Sequence, residues 1–90
     1  MATKELRRAE VLLFEPACRL GYSLSQKEAD GRVLYSLFLW EEFGQEREEV
    51  CLDDFTDGEE EAYEIFRLFV SGEVTVSSAG DLLEDLLYTP

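Results

Sequence analysis

The chain contains no histidine. That absence removes the side chain that titrates most readily near neutral pH, and with it Ser–His–Asp and Cys–His catalysis and most zinc sites. Basic residues are scarce too. Eight Lys and Arg against 21 Asp and Glu leave a net charge of −13, which sets the protein against the phosphate backbone of nucleic acids and against anionic membrane surfaces. Cys18 and Cys51 are the only cysteines and stand 33 positions apart, a spacing that offers no metal motif. Each reads as a small buried apolar residue rather than a nucleophile. No signal-peptide pattern and no apolar run long enough to cross a bilayer is present, so a reduced cytoplasmic setting is expected. In an exported protein a Cys18–Cys51 disulfide could form. Neither the phosphate-cradling Gly-x-x-x-x-Gly-Lys nor the Gly-x-Gly-x-x-Gly fingerprint occurs, and repeats and low-complexity tracts are missing.

What remains describes a small folded domain. Ninety residues suffice for one core of two packed layers, and an apolar share of 46 % with ten Phe and Tyr is enough to fill it. Charge is spread unevenly. Residues 1–40 carry six basic and five acidic groups, 41–61 one basic and eleven acidic, and 62–90 one basic and five acidic. The middle block is an acidic belt.

The clearest element lies between Thr56 and Gly72. Thr56 followed by Glu59 is a capping-box pattern, and Asp57, Glu59, Glu60 and Glu61 sit where a helix N-terminus favours anions. Ala62, Ile65, Phe66 and Phe69 then recur at helical spacing, and Gly72 supplies a left-handed C-cap. A second helix is expected to end near Leu87, with Ala79, Leu82, Leu83, Leu86 and Leu87 on one stripe and Thr75 or Ser77 at its start.

Strands precede the helices. Arg19–Gln26 alternates, with Leu20, Tyr22 and Leu24 on one side, and Asp30-Gly31 is a hairpin signal. Arg32–Trp40 is apolar at nearly every position, as in a central strand. Val33, Tyr35, Leu37 and Leu39 face one way, and Leu34, Phe38 and Trp40 the other. Phe43–Glu46 forms a loop, and Arg47–Phe55 a last strand with Val50 and Leu52 inward. Residues 1–15 are ambiguous between a short edge strand at about Ala9–Glu15, a helix over Lys4–Glu10 and a mobile arm, with Pro16 ending any of them. The whole is a single α+β domain over residues 1–90: an antiparallel meander of three or four strands followed by two C-terminal helices packed on one face.

Leu52-Asp53-Asp54-Phe55-Thr56-Asp57 ahead of an acidic-started helix, then Val74-Thr75-Val76-Ser77-Ser78-Ala79-Gly80-Asp81 leading into Leu82–Leu87, resembles a family of small uncharacterised proteins from clostridia-like Gram-positive bacteria. With the hairpin Tyr22–Trp40, the resemblance spans about Leu20 to Leu87. Val74, Thr75, Asp81 and Asp85 match the family pattern, whereas Val76 replaces its proline, Ser78 its histidine and Ala79 a leucine. The resemblance implies a fold and no chemistry, since an activity using the family's histidine has no counterpart here.

The acids have one further reading. Counted from Asp53, the positions of Asp57, Gly58, Glu59 and Glu64 echo a calcium-binding EF-hand loop, but Phe55 occupies a ligand position and Glu60 the apolar anchor. Helix capping and solvation account for the same acids, and no metal, cofactor or catalytic residue is assigned. The surface is the better candidate. One helix layer covers one face of the sheet, so Leu34, Phe38 and Trp40 on the other face, beside Glu41 and Glu42, are expected to meet a protein partner or a second copy. Trp40 is the leading anchor, set against its burial beneath the N-terminal segment. The expectation is a non-enzymatic protein-interaction module, homodimeric through the strand face or edge. The alternative is a small-molecule or cation-binding regulator using acids at the helix starts.

Overall fold

A computed structural model describes residues 3–14 and 17–88. Four strands, β1 (Thr3–Phe14), β2 (Ala17–Ala29), β3 (Arg32–Phe43) and β4 (Glu46–Thr56), form one antiparallel sheet in chain order, followed by α1 (Glu59–Ser71) and α2 (Val76–Tyr88). The architecture is α+β. Both helices lie on one face of the sheet, α1 chiefly over β2 and α2 over β4 and β3. Between the layers are buried Leu20, Tyr22 and Leu24 of β2, Tyr35, Leu37 and Leu39 of β3, and Ala62, Ile65, Phe66, Phe69, Val74, Ala79 and Leu83 from the helical half. Alternation on the strands and the 3.6-residue stripe on the helices place these residues there.

β1 is longer than Ala9–Glu15, and its expected end at Glu15 and stop at Pro16 lie outside the described residues. The helix-forming composition of Lys4–Glu10 is overridden because Ala9, Val11 and Leu13 can pack against the core, and helix preference amounts to only about 0.7 kcal/mol per residue at most. A bulge between Glu5 and Arg7 lets Leu6 pack against the core as well. Glu5 stays on the opposite face, where its carboxylate accepts a hydrogen bond from the Ser23 hydroxyl and pairs with Arg8 at 3.5 Å.

The β2–β3 turn is the expected one, with Asp30 at φ 54° and Gly31 at φ 75°. The Asp53–Thr56 stretch belongs to β4 rather than to an ion-binding loop. It bulges opposite Ser36, between the Tyr35–Thr56 and Leu37–Leu52 pairs, with Asp54 at φ 52°. The Ser36 hydroxyl accepts the Asp54 N–H at 2.9 Å, and Lys27 reaches the Asp54 carboxylate at 3.1 Å.

Both ends of α1 differ from the sequence reading. Thr56 is still paired in the sheet with Tyr35, so the helix opens two residues later, with extended Gly58 as N-cap. Thr56 therefore accepts the Gly58 N–H and donates to Glu61, not Glu59. At the other end Gly72 keeps right-handed geometry (φ −86°), and Glu73 takes the left-handed position at φ 51°. The Glu73 N–H reaches the Val70 carbonyl and the Val74 N–H the Phe69 carbonyl, a Schellman closure that carries Val74 into the core. At the start of α2, the Thr75 carbonyl accepts the Ser78 N–H. The Val76 N–H is met from a distance by the Glu41 carboxylate, at 3.2 Å.

Candidate protein interface

The face of the sheet away from the helices is built in cross-strand rows. Arg8, Ser23, Phe38 and Cys51 stand in one row, Glu10, Gly21, Trp40 and Glu49 in the next, and Leu12, Arg19, Glu42 and Arg47 in a third. Gly21 decides the middle row. The Trp40 ring lies on its Cα, so that a Cβ at Gly21 would fall 1.8 Å from a ring carbon. Arg8 and Arg47 approach the same indole with guanidinium carbons 4.8 and 5.7 Å from its centroid, and Phe38 lies beside it at 5.7 Å. Arg47 is held in turn by Glu49 at 2.6 Å and Glu42 at 3.7 Å.

This arrangement changes the expected surface. Leu34, Phe38, Trp40 and Glu42 do share the helix-free face, but Trp40 is only 4 % exposed, sealed by its own neighbours, and Leu34 and Phe38 are half-buried. Glu41 points the other way, to the helix side, where it caps α2. The greasy face of β3 is therefore largely covered from within the chain. Stacking a guanidinium on an indole hides apolar area while the charge stays wet, and cross-strand register, invisible in a linear reading, brings Arg8 and Arg47 into place.

Exposed apolar area lies instead chiefly along β1 and at the nearby β3–β4 turn, with a smaller share at Leu68 and Leu86 on the helices. Leu12 is 57 % and Phe14 83 % exposed, both on the helix-free face, and Phe43 is 49 % exposed at the β3–β4 turn. Leu12, Leu13, Phe14, Ala17, Cys18 and Arg19 contribute to a notch of about 370 Å³ at this end of the sheet. Along its other side, β1 borders a cleft of about 600 Å³ whose remaining walls come from α1. Arg7 stacks over Tyr63 in this cleft at 5.2 Å, with Phe66, Arg67 and the acids Glu59, Glu60 and Glu64 around them. The sequence signal for this site was the Val11-Leu12-Leu13-Phe14 run. An edge strand there was one of three readings of residues 1–15, and β1 is the outer strand of the sheet.

Neither cysteine is buried: Cys18 is half-buried and Cys51 exposed, contrary to their composition-based reading. Cys51 belongs to the helix-free face through its register with Phe38, and its thiol donates to Asp53 at 3.0 Å. Loss of solvent around the sulfur, this hydrogen bond and the Asp53 and Asp54 charges push the thiol up to about 11, which leaves it a weak nucleophile at neutral pH. Partial burial and then Glu41 raise Cys18 as well. Among the described residues no charged side chain is buried, and no three Asp, Glu or Cys gather around a common point. Again among these residues, no helix is long and apolar enough to cross a membrane.

No known protein family, curated protein or solved structure matches the chain.

Proposed function

We propose that this chain is a non-enzymatic protein-interaction module and that its docking surface is the outer edge of β1. The observation that carries the reading is the combination on that strand of an edge position with Leu12 and Phe14 at 57 % and 83 % exposure. An outer strand presents unpaired N–H and C=O groups that an added strand can pair, and apolar side chains beside it supply the affinity. The cleft between β1 and α1 offers room for alternate side chains of such a strand. Its mixture of Tyr63, Phe66, two arginines and three glutamates suits binding better than reaction, because no acid in it is withdrawn from water.

The opposite edge supports the choice. β4 carries Glu46, Glu48, Glu49, Asp53 and Asp54 against one arginine, a run of like charge that discourages strand addition, and its bulge at Asp54 breaks the ladder as the Glu5–Arg7 bulge does in β1. Cross-linking affinity capture from the native cytosol tests the assignment. A Leu12→Asp/Phe14→Asp variant is expected to lose its captured proteins while Glu48→Lys/Glu49→Lys retains them. Equal capture by both variants would refute it.

A further inference from the structure

We infer that the partner seated on the β1 edge is a second copy of this chain, paired antiparallel about a two-fold axis through Ala9 to give a continuous eight-stranded sheet. The inference rests on the β1 edge being the docking surface.

Charge turns from positive to negative across the sheet. β1 bears Lys4, Arg7 and Arg8 against Glu5 and Glu10, a net +1, and β2 bears Arg19 and Lys27 against Glu28, also +1. β3 is −1 and β4 −4. Two molecules of net charge −13 repel on most approaches. The β1 edge stands three strand spacings from β4, roughly 14 Å, which exceeds the Debye length of about 8 Å at physiological salt. It is the sheet edge at which two copies meet with the least repulsion.

Register then selects one pairing. A two-fold axis perpendicular to the sheet keeps both helix layers on one side and requires residues opposite each other to belong to the same face. Centring on Arg7, Arg8 or Glu10 sets that charged residue against itself. Centring on Ala9 instead sets Arg8 opposite the partner's Glu10, twice by symmetry, and Arg7 opposite the partner's Val11 on the helix side, all within the stretch of β1 that follows the Glu5–Arg7 bulge. Glu10 is exposed and has no ionic partner among the described residues. The axis also makes the two α1 helices antiparallel, so that Arg67 near the end of one faces toward Glu59 and Glu60 at the start of the other, across the clefts that line both sides of the junction.

The test is a charge swap read by light scattering and native mass spectrometry, with circular dichroism confirming that each variant is folded. Wild type is expected at twice 10.3 kDa. Arg8→Glu and Glu10→Arg should each weaken the dimer by about tenfold or more, because two attractive cross-strand pairs become repulsive, and the double variant Arg8→Glu/Glu10→Arg should restore it. Arg8 also covers Trp40, so a second arm avoids it: Ala9→Cys in a Cys18→Ser/Cys51→Ser background should oxidise to a covalent dimer, since opposed residues bring Cα atoms within disulfide range. A monomeric wild type, or a dimer indifferent to the swap and not cross-linked through position 9, overturns the inference. If wild type is monomeric yet Leu12→Asp/Phe14→Asp still loses captured proteins, β1 takes a foreign strand and only the self-pairing falls. If capture is also unchanged, the edge assignment falls with it.

Discussion

Tyr22 is fully buried beneath the helices, and its hydroxyl donates to the Val74 carbonyl at 2.7 Å. Burial first, then the charges of Glu73 and Glu41, push the phenol up to about 12 from an ordinary value of 10. The folded protein therefore holds this proton more tightly than the unfolded chain. The stability tied to it is complete below pH 10 and drains away as pH climbs toward 12, by an amount on the order of 2–3 kcal/mol. Denaturant titrations across that range should show the fall. Tyr22→Phe should cost about 1–3 kcal/mol at neutral pH, because the buried Val74 carbonyl is left unpaired, and should flatten the alkaline decline. A wild-type curve that stays level to pH 12 would contradict this account. Cys51 shifts in the same sense: with its thiol held up to about 11, alkylation monitored by peptide mass should accelerate only in strongly alkaline buffer, and Asp53→Asn should move the onset to lower pH. At this scale the sequence was a poor guide. Nothing in the order of residues announced that Gly21 leaves a seat for Trp40, or that Arg8 and Arg47, 39 positions apart, close over the same ring.

At the scale of elements, agreement was better, for a physical reason. The apolar stripes of α1 and, Leu86 excepted, of α2, the Asp30-Gly31 turn and the two-faced β3 all rest on periodicity or on local backbone preference, which a linear reading contains. Element ends depend on tertiary pairing. Thr56 could cap a helix, but its place opposite Tyr35 keeps it in the sheet, and α1 begins later. Gly72 could adopt the left-handed turn, yet the Schellman hydrogen bonds fall one residue on and leave Glu73 there, a strained non-glycine residue with its negative charge at the negative end of α1. Glu73→Gly should accordingly raise stability by about 1 kcal/mol in a denaturant titration with unchanged slope. A loss of stability would mean that the closure is not limited by backbone strain. The length of β1 was hidden because its helix-favouring residues yield to a ladder and a core that lie far along the chain.

Across the whole molecule, acids outnumber bases by 21 to eight. Thirteen excess negative charges on ninety residues oppose compaction. Moderate salt should screen that repulsion more than it weakens the exposed ion pairs, so the melting temperature should rise between low salt and 0.5 M sodium chloride at about neutral pH. A fall would show that the pairs of Arg47, Lys27 and Arg8 outweigh the global field. The fold also supplies its own optical gauge. Trp40 is the one indole in the chain, and its roof is contributed by the two outermost strands, Arg8 from the first and Arg47 from the last. Loosening of either flank uncovers the same fluorophore. Its emission colour, and its quenching by small solutes, thus tell an unlabelled sample when a margin of the sheet lets go before the middle does.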